Sequence, residues 1–259
     1  MATRHVQTVR WFLLLAGMLA SGAVPAQTSL MLWPLDPVIE DNQRAVALWM
    51  QNRGSQPVTL QIRVLAWTQD AQGEHFTSTQ GVVPSPPMAT VPPGQRQLVR
   101  LMNTSAPPEG SELAYRVLVD ELPPAGVEQD GGAQGSAMGV RMQIRYSIPL
   151  FVSGKGHWSR HRVVKQPNAP EGARPDLRWR MHSGANGHEL LVRNAGRTAA
   201  RLTDVQWVGT LPPVTINPGL MGYVLAGAEM RWKLESPPPP GSVLQLRVNN
   251  EPAATLEAQ

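Results

Sequence analysis

The chain contains no cysteine among its 259 residues. That excludes thiol nucleophiles, thiolate-ligated metals and any disulfide staple, so the fold must hold through its apolar core alone. Histidine is sparse and its spacing fits no His-Glu-x-x-His pattern. No Gly-x-Ser-x-Gly elbow, P-loop lysine or Gly-x-Gly-x-x-Gly phosphate turn occurs either. Neighbouring carboxylates such as Glu40-Asp41 and Asp120-Glu121 fall at strand ends, where such pairs are normally solvated. No enzyme chemistry and no cofactor or metal site are marked. Charge is also low: 23 basic against 19 acidic residues, net +4. Clustered basic residues interleaved with aromatics are missing, so nucleic acid is not an expected partner.

Long apolar runs are absent after the first two dozen residues. At the start, Arg4 and Arg10 precede an apolar stretch, 11–20, and Val24-Pro25-Ala26 supplies a small-residue cleavage site. This reads as a secretory signal over residues 1–26. About ten apolar residues are too few to span a bilayer. Loss of Arg4 and Arg10 would leave a net charge of +2. A secreted product without membrane insertion is expected, in a bacterial periplasm or at the outer surface.

Proline (25) and glycine (23) are plentiful and punctuate short alternating runs throughout, which argues for an all-β chain. Strands are expected at 30–34, 45–52, 58–69, 97–103, 113–122 and 140–152. Turn signals lie between them, such as Asn52-Arg53-Gly54 and Ala71-Gln72-Gly73. Pro84-Ser85-Pro86-Pro87 marks a loop or a strand changing sheets. Six or seven strands in residues 27–152 suggest an immunoglobulin-like sandwich. Residues 153–176 lose the pattern and read as a linker. A second, smaller sandwich is expected over 177–259, with runs at 177–182, 189–194, 200–208, 214–216, 222–225, 229–234 and 243–249. ELLVRN-AG at 189–196 echoes ALWMQN-RG at 47–54, a strand ending in Asn before a turn.

The run VRMQIRYSIPLF (140–151) alternates strictly. Val140, Met142, Ile144, Tyr146 and Ile148 face one way; Arg141, Gln143, Arg145 and Ser147 face the other. A Gly/Gln-rich stretch, 126–139, precedes it and cannot build a core. Two readings stand: an ordinary sandwich strand after a long hairpin loop, or an apolar edge strand offered to another protein.

Several runs in order resemble the periplasmic pilus-assembly chaperones of the chaperone–usher pathway, above all the archaic branch that serves spore-coat-U-like pilins. They are LMLWPLDPVIED (30–41), 45–52 with Gly54, QIRVLAWTQ (61–69), VPSPP (83–87), PGQRQLVRL (93–101), YRVLVDELP (115–123) and QIRYSIPLFVSGKG (143–156). LLVRNAG (190–196) and GYVL (222–225) are the best matches in the second domain. The resemblance implies two immunoglobulin-like β-sandwich domains in an L-shaped pair, which complete an unfinished pilin subunit with a donated strand and pass it to an outer-membrane usher. It makes Val140, Met142, Ile144 and Tyr146 the donor residues, and self-association a way to cap the strand in the free state. In this family two basic cleft residues anchor the pilin's terminal carboxylate. Here those positions carry Asp36 and Pro149, so the anchor has moved or is lost. Arg145 is the first candidate to replace it, followed by Arg116 and Arg100, each of which could equally be a surface arginine. Glu121 is a candidate for fixing the domain angle. Two other classes remain open: an adhesive, pilin-like structural subunit, and an enzyme on a sandwich fold.

Overall fold

The computed structural model describes residues 30–70, 72–123, 143–165, 168–170, 172–184, 187–209 and 212–259. In chain order the first domain contains β1 (Leu30–Trp33), β2 (Val38–Ile39), β3 (Ala45–Asn52), β4 (Val58–Asp70), β5 (Gly73–Ser78), β6 (Val82–Ser85), β7 (Met88–Val91), β8 (Arg96–Asn103), β9 (Glu112–Leu122) and β10 (Arg145–Ser153). A short helix, α1 (Arg160–Lys165), follows. The second domain holds β11 (Leu177–Gly184), β12 (Gly187–Asn194), β13 (Ala200–Val208), β14 (Val214–Val224), β15 (Glu229–Leu234), β16 (Val243–Val248) and β17 (Ala254–Leu256).

Each domain is a two-sheet immunoglobulin-like sandwich. In the first, β1-β3-β8-β6 faces β2-β10-β9-β4-β5, with β7 also paired to β4. Alternation explains the layers. Leu48 and Met50 of β3, Leu60 and Ile62 of β4, Val99 and Leu101 of β8, Val117 and Val119 of β9, and Ile148, Leu150 and Val152 of β10 point inward and are buried together. In the second domain, β11-β12-β15 faces β14-β13-β16-β17.

Two prolines lie where the chain changes sheets, one in the expected 84–87 run and one, Pro34, that the sequence reading placed inside a strand. The Ser85-Pro86 bond separates β6, in one sheet, from β7, which pairs with β4 in the other. Trp33-Pro34 likewise divides β1 from β2. Five short strands, β2, β5, β6, β7 and β17, escaped the sequence reading, and one strand was read as two. GEHFTS (β5) is almost wholly exposed, so no apolar alternation announces it; it follows β4 through the expected Gly73 turn. The runs at 214–216 and 222–225 are one edge strand, β14. Its Asn217-Pro218-Gly219 interruption is absorbed by register shifts, with the Gly219 amide bonded to Asn217 Oδ1 at 2.9 Å. A proline on an edge forfeits no ladder bond.

The Asn echo is a repeated structural device. Asn52 is fully buried; its Nδ2 donates to the Gln56 and Val91 carbonyls at 2.7 and 2.9 Å, and its Oδ1 accepts the Gly54 amide at 2.9 Å. Asn194, also fully buried, donates to Thr198 and Val224 at 2.9 and 3.1 Å and accepts from Gly196 at 3.0 Å. In each domain one amide ties a strand end to its turn and to a strand distant in sequence. A Cβ on Gly196 would lie 2.6 Å from the Asp176 nitrogen, so the turn admits only glycine. Because buried carbonyls left unpaired cost about 1–3 kcal/mol each, Asn52→Ala and Asn194→Ala should each destabilise the protein by about 2–4 kcal/mol. Urea denaturation monitored by fluorescence checks this.

Candidate functional site

Strand β10 is paired on both sides only at its end. Its inner neighbour β9 matches it from Arg145↔Asp120 to Ser153↔Glu112. Its outer neighbour β2 meets it only at Phe151↔Val38 and Val152↔Ile39. The Phe151 amide donates to the Pro37 carbonyl at 3.2 Å, whereas the Ile144 carbonyl accepts from the Glu121 amide at 3.2 Å. Main-chain groups alternate sides along a strand. Arg145, Ser147 and Pro149 therefore turn theirs outward, to an edge that no strand among the described residues covers. Pro149 sits where its missing N–H would have faced outward.

The side chains alternate with the backbone. Ile148, Leu150 and Val152 seal the first domain's core, and Tyr146 packs partly against it. Burial raises the Tyr146 hydroxyl's pKa, with a further rise from Glu121 and a partial offset from the Leu30 backbone. Ile144, one step further out, is half-buried. Val140 and Met142 lie outside the described residues.

The opposite face of β10 forms the domain junction. Phe151 is fully buried in a cluster with Val38 and Trp67 of the first domain and Tyr223, Val224 and Leu225 of the second. Ring centroids of Trp67, Phe151 and Tyr223 lie 5.5–6.1 Å apart. Gln69 clamps the same junction: its Nε2 donates to the Tyr223 carbonyl at 3.0 Å, and its Oε1 accepts the Leu225 amide at 2.8 Å.

The three arginine candidates occupy different places. Arg145 is 62% exposed and ion-paired to Asp120, which also binds Arg63 at 2.7 Å. Burial would raise the Asp120 carboxyl, but the hydrogen bonds from Arg145 and Arg63 outweigh it and hold its pKa below the ordinary value. Arg100, on β8, is exposed on the opposite sheet. Arg116 is directly opposite Pro149 across the β9–β10 ladder. Its guanidinium stacks 3.8 Å from the Trp67 centroid and 5.6 Å from that of Tyr223, with Glu74 at 3.6 Å. Burial lowers its pKa from the ordinary arginine value, partly countered by Glu74. Of the three, Arg116 alone lies against an aromatic ring of the second domain, that of Tyr223.

Glu121 lies at the end of β9 remote from the second domain. The carboxylate that reaches across the junction is Glu112, at the other end of that strand, accepting the Ala199 amide at 2.8 Å.

The linker supplies a residue that the sequence reading missed. Helix α1 packs against the first domain: Ser159 Oγ donates to Glu40 at 2.6 Å, and Arg162 pairs with Asp41 at 2.7 Å. Arg160 is 5% exposed, with its guanidinium 4.3 Å from the Phe151 centroid and 3.8 Å from Asp36. The density of basic residues in RHRVVK is the one sequence signal that could have pointed there. Six residues are too few for helical periodicity to show.

Residues 37–157 match the family described as pili and flagellar-assembly chaperone, PapD N-terminal domain. Among solved structures, CsuC, from the CsuC–CsuE chaperone–tip adhesion subunit complex of the archaic Csu pili of Acinetobacter baumannii, is 29% identical. The match covers 89% of this chain and 99% of that one, with a TM-score of 0.71. The Escherichia coli chaperone DraB (18% identity, 90% and 98% coverage, TM-score 0.58) shares the fold. So does a chain of the Salmonella enterica SafA pilin–SafB chaperone complex (17%, 88% and 94%, 0.58). No curated protein matches in a sequence comparison. Residues 37–157 thus form a domain of this pilus-chaperone family, and the chain is similar over 89% of its length to a chaperone of the archaic chaperone–usher Csu system. Among the described residues, no helix is long and apolar enough to cross a membrane.

The docking of α1 carries a pH signature. His161, hydrogen-bonded at 3.1 Å, holds Asp36 below its ordinary 3.8, and Arg162 does the same for Asp41. Depressed folded-state values give stability that is present above pH 3.8 and lost as pH falls through the lower folded values. Asp41→Asn should therefore be less stable than wild type at about pH 7 and indistinguishable from it at about pH 2. Denaturation at the two pH values tests this.

Proposed function

We propose that this protein is exported to the periplasm and holds pilin subunits by donor-strand complementation before delivering them to an outer-membrane usher. The observation that carries the reading is the half-open strand β10: closed by β2 at Phe151, open from Arg145 to Pro149, and continuous with an apolar row running outward through Ile144. An incomplete pilin would pair with the free main-chain groups and receive the alternate side chains Val140, Met142 and Ile144 in its core groove. Each apolar side chain so buried is worth about 1.5–3 kcal/mol. Three together can restrain a subunit that would otherwise aggregate, and replacement by another subunit's strand would release it without ATP. Tyr146, packed on its own sandwich, marks where the donated stretch ends. In this reading the cleft cation for the pilin's terminal carboxylate is Arg116, opposite the Pro149 that stands where the family has a basic residue.

Met142→Asp and Ile144→Asp should leave the chaperone folded, with an unchanged circular dichroism spectrum, and lower recovery of a co-expressed pilin by about tenfold or more, since a buried carboxylate has no partner in an apolar groove. Normal recovery with both variants would end the donor-strand reading. Arg116→Lys keeps the charge but loses the planar fork and the stacking, so it should weaken pilin capture while preserving the fold.

A further inference from the structure

A pocket of about 300 Å³ opens where the loop before β2, helix α1 and the second domain meet. Among its lining residues are Asp36 from the first domain, Arg160, His161 and Lys165 from the helix, and Arg201 and Asn250 from the second domain. Three permanent cations thus face a single carboxylate. Arg160 is the least accessible, at 5% exposure, and its Nε and Nη1 have no hydrogen-bond partner among the described residues. One face of its guanidinium lies on Phe151, so these donors can be met only in the guanidinium plane. Arg201 bonds Asn250 at 2.7 Å, and neither it nor Lys165 pairs with a carboxylate within ion-pair distance among the described residues. Arg160 presents Nη2 beside Asp36, 3.8 Å from its carboxylate, and with Lys165 and Arg201 around the same cavity the cations outnumber the carboxylates, a composition that suits an oxyanion.

We infer that this pocket binds a phosphate group, bridging Arg160, Lys165 and Arg201. Asp36 offsets one of the three charges, and a dianion neutralises the remaining two, which a carboxylate would not. Since the ligand would touch both domains and the helix between them, binding would stiffen the junction behind β10. The inference does not rest on strand donation.

The test uses the mature chain titrated with sodium phosphate, with sodium chloride at matched ionic strength as the reference, reading arginine Nε–H signals by NMR and heat by calorimetry. A single saturable site is expected with phosphate and none with chloride. Lys165→Gln and Arg201→Gln, both on the accessible rim, should each weaken binding by about tenfold, as loss of one charge-assisted hydrogen bond does; Arg53→Gln, remote from the pocket, should not. Arg160→Lys should abolish saturation, and if that variant fails to fold, the rim variants decide alone. Glycerol 3-phosphate run in parallel distinguishes a phosphate ester from the free ion as the source, either result being consistent with the site. A response linear in ionic strength, a wild-type titration in the Lys165→Gln/Arg201→Gln double variant, or equal affinity for acetate would overturn the assignment. The Ile144→Asp variant should titrate as wild type, so failure of the strand reading and failure of this one are separable.

Discussion

Phe151 fixes both the junction and the edge. Its amide is the point at which β2 closes β10, and its ring is the point at which the first domain grips Tyr223 and the linker arginine. An unpaired strand edge is unstable as an isolated feature, because nothing holds its register. Here the inner half of β10 is locked by three core residues on one face and by an interdomain aromatic cluster on the other. The outer half is thereby held in a defined register, and among the described residues no strand covers it. Rigidity on one side of Pro149 is what permits openness on the other.

The same economy appears in the two asparagines. A sandwich must hold strand ends against turns where ladder bonds run out, and a buried amide with two donors and an acceptor serves three main-chain groups at once. Asn52 and Asn194 do so with the same geometry in domains whose other residues differ. Such an amide is stabilising only if fully satisfied, so both sites demand the main-chain amide two residues on and a carbonyl from a distant strand.

Longer strands in the first domain were legible because the buried faces alternate cleanly, as in Leu48/Met50 or Val117/Val119, and Pro84–Pro87 marked one of the sheet changes. Strands without a buried face, β5 above all, left no trace. The strand was legible as a pattern from Arg145 onward, but not its role: that Ile148 belongs to the sandwich's own core, with Tyr146 packed against it, depends on a register with β9 that the sequence does not state. The cleft was least legible. Arg145, Arg116 and Arg100 are equivalent in the sequence, and only cross-strand register separates an arginine paired to Asp120 from one stacked on Trp67. Arg160 reaches Phe151 through a helix that no periodicity could announce.

The placement of these cations follows from the residues beside them. Pro149 cannot carry charge, but it brings Arg116 alongside by register. Asp36 is anionic, yet His161 and Arg160 surround it. Pro149 and Asp36 each therefore have an arginine as neighbour, and each of those is laid on an aromatic ring, Trp67 or Phe151, at 3.8 and 4.3 Å. Stacking holds a guanidinium with little loss of its in-plane donors, so a charge laid on a ring face stays available to an anion. Both arginines also approach Tyr223 of the second domain, at 5.6 and 6.0 Å. Their charge is thus tied to the domain junction, and any rotation that separated Tyr223 from Trp67 and Phe151 would disperse it.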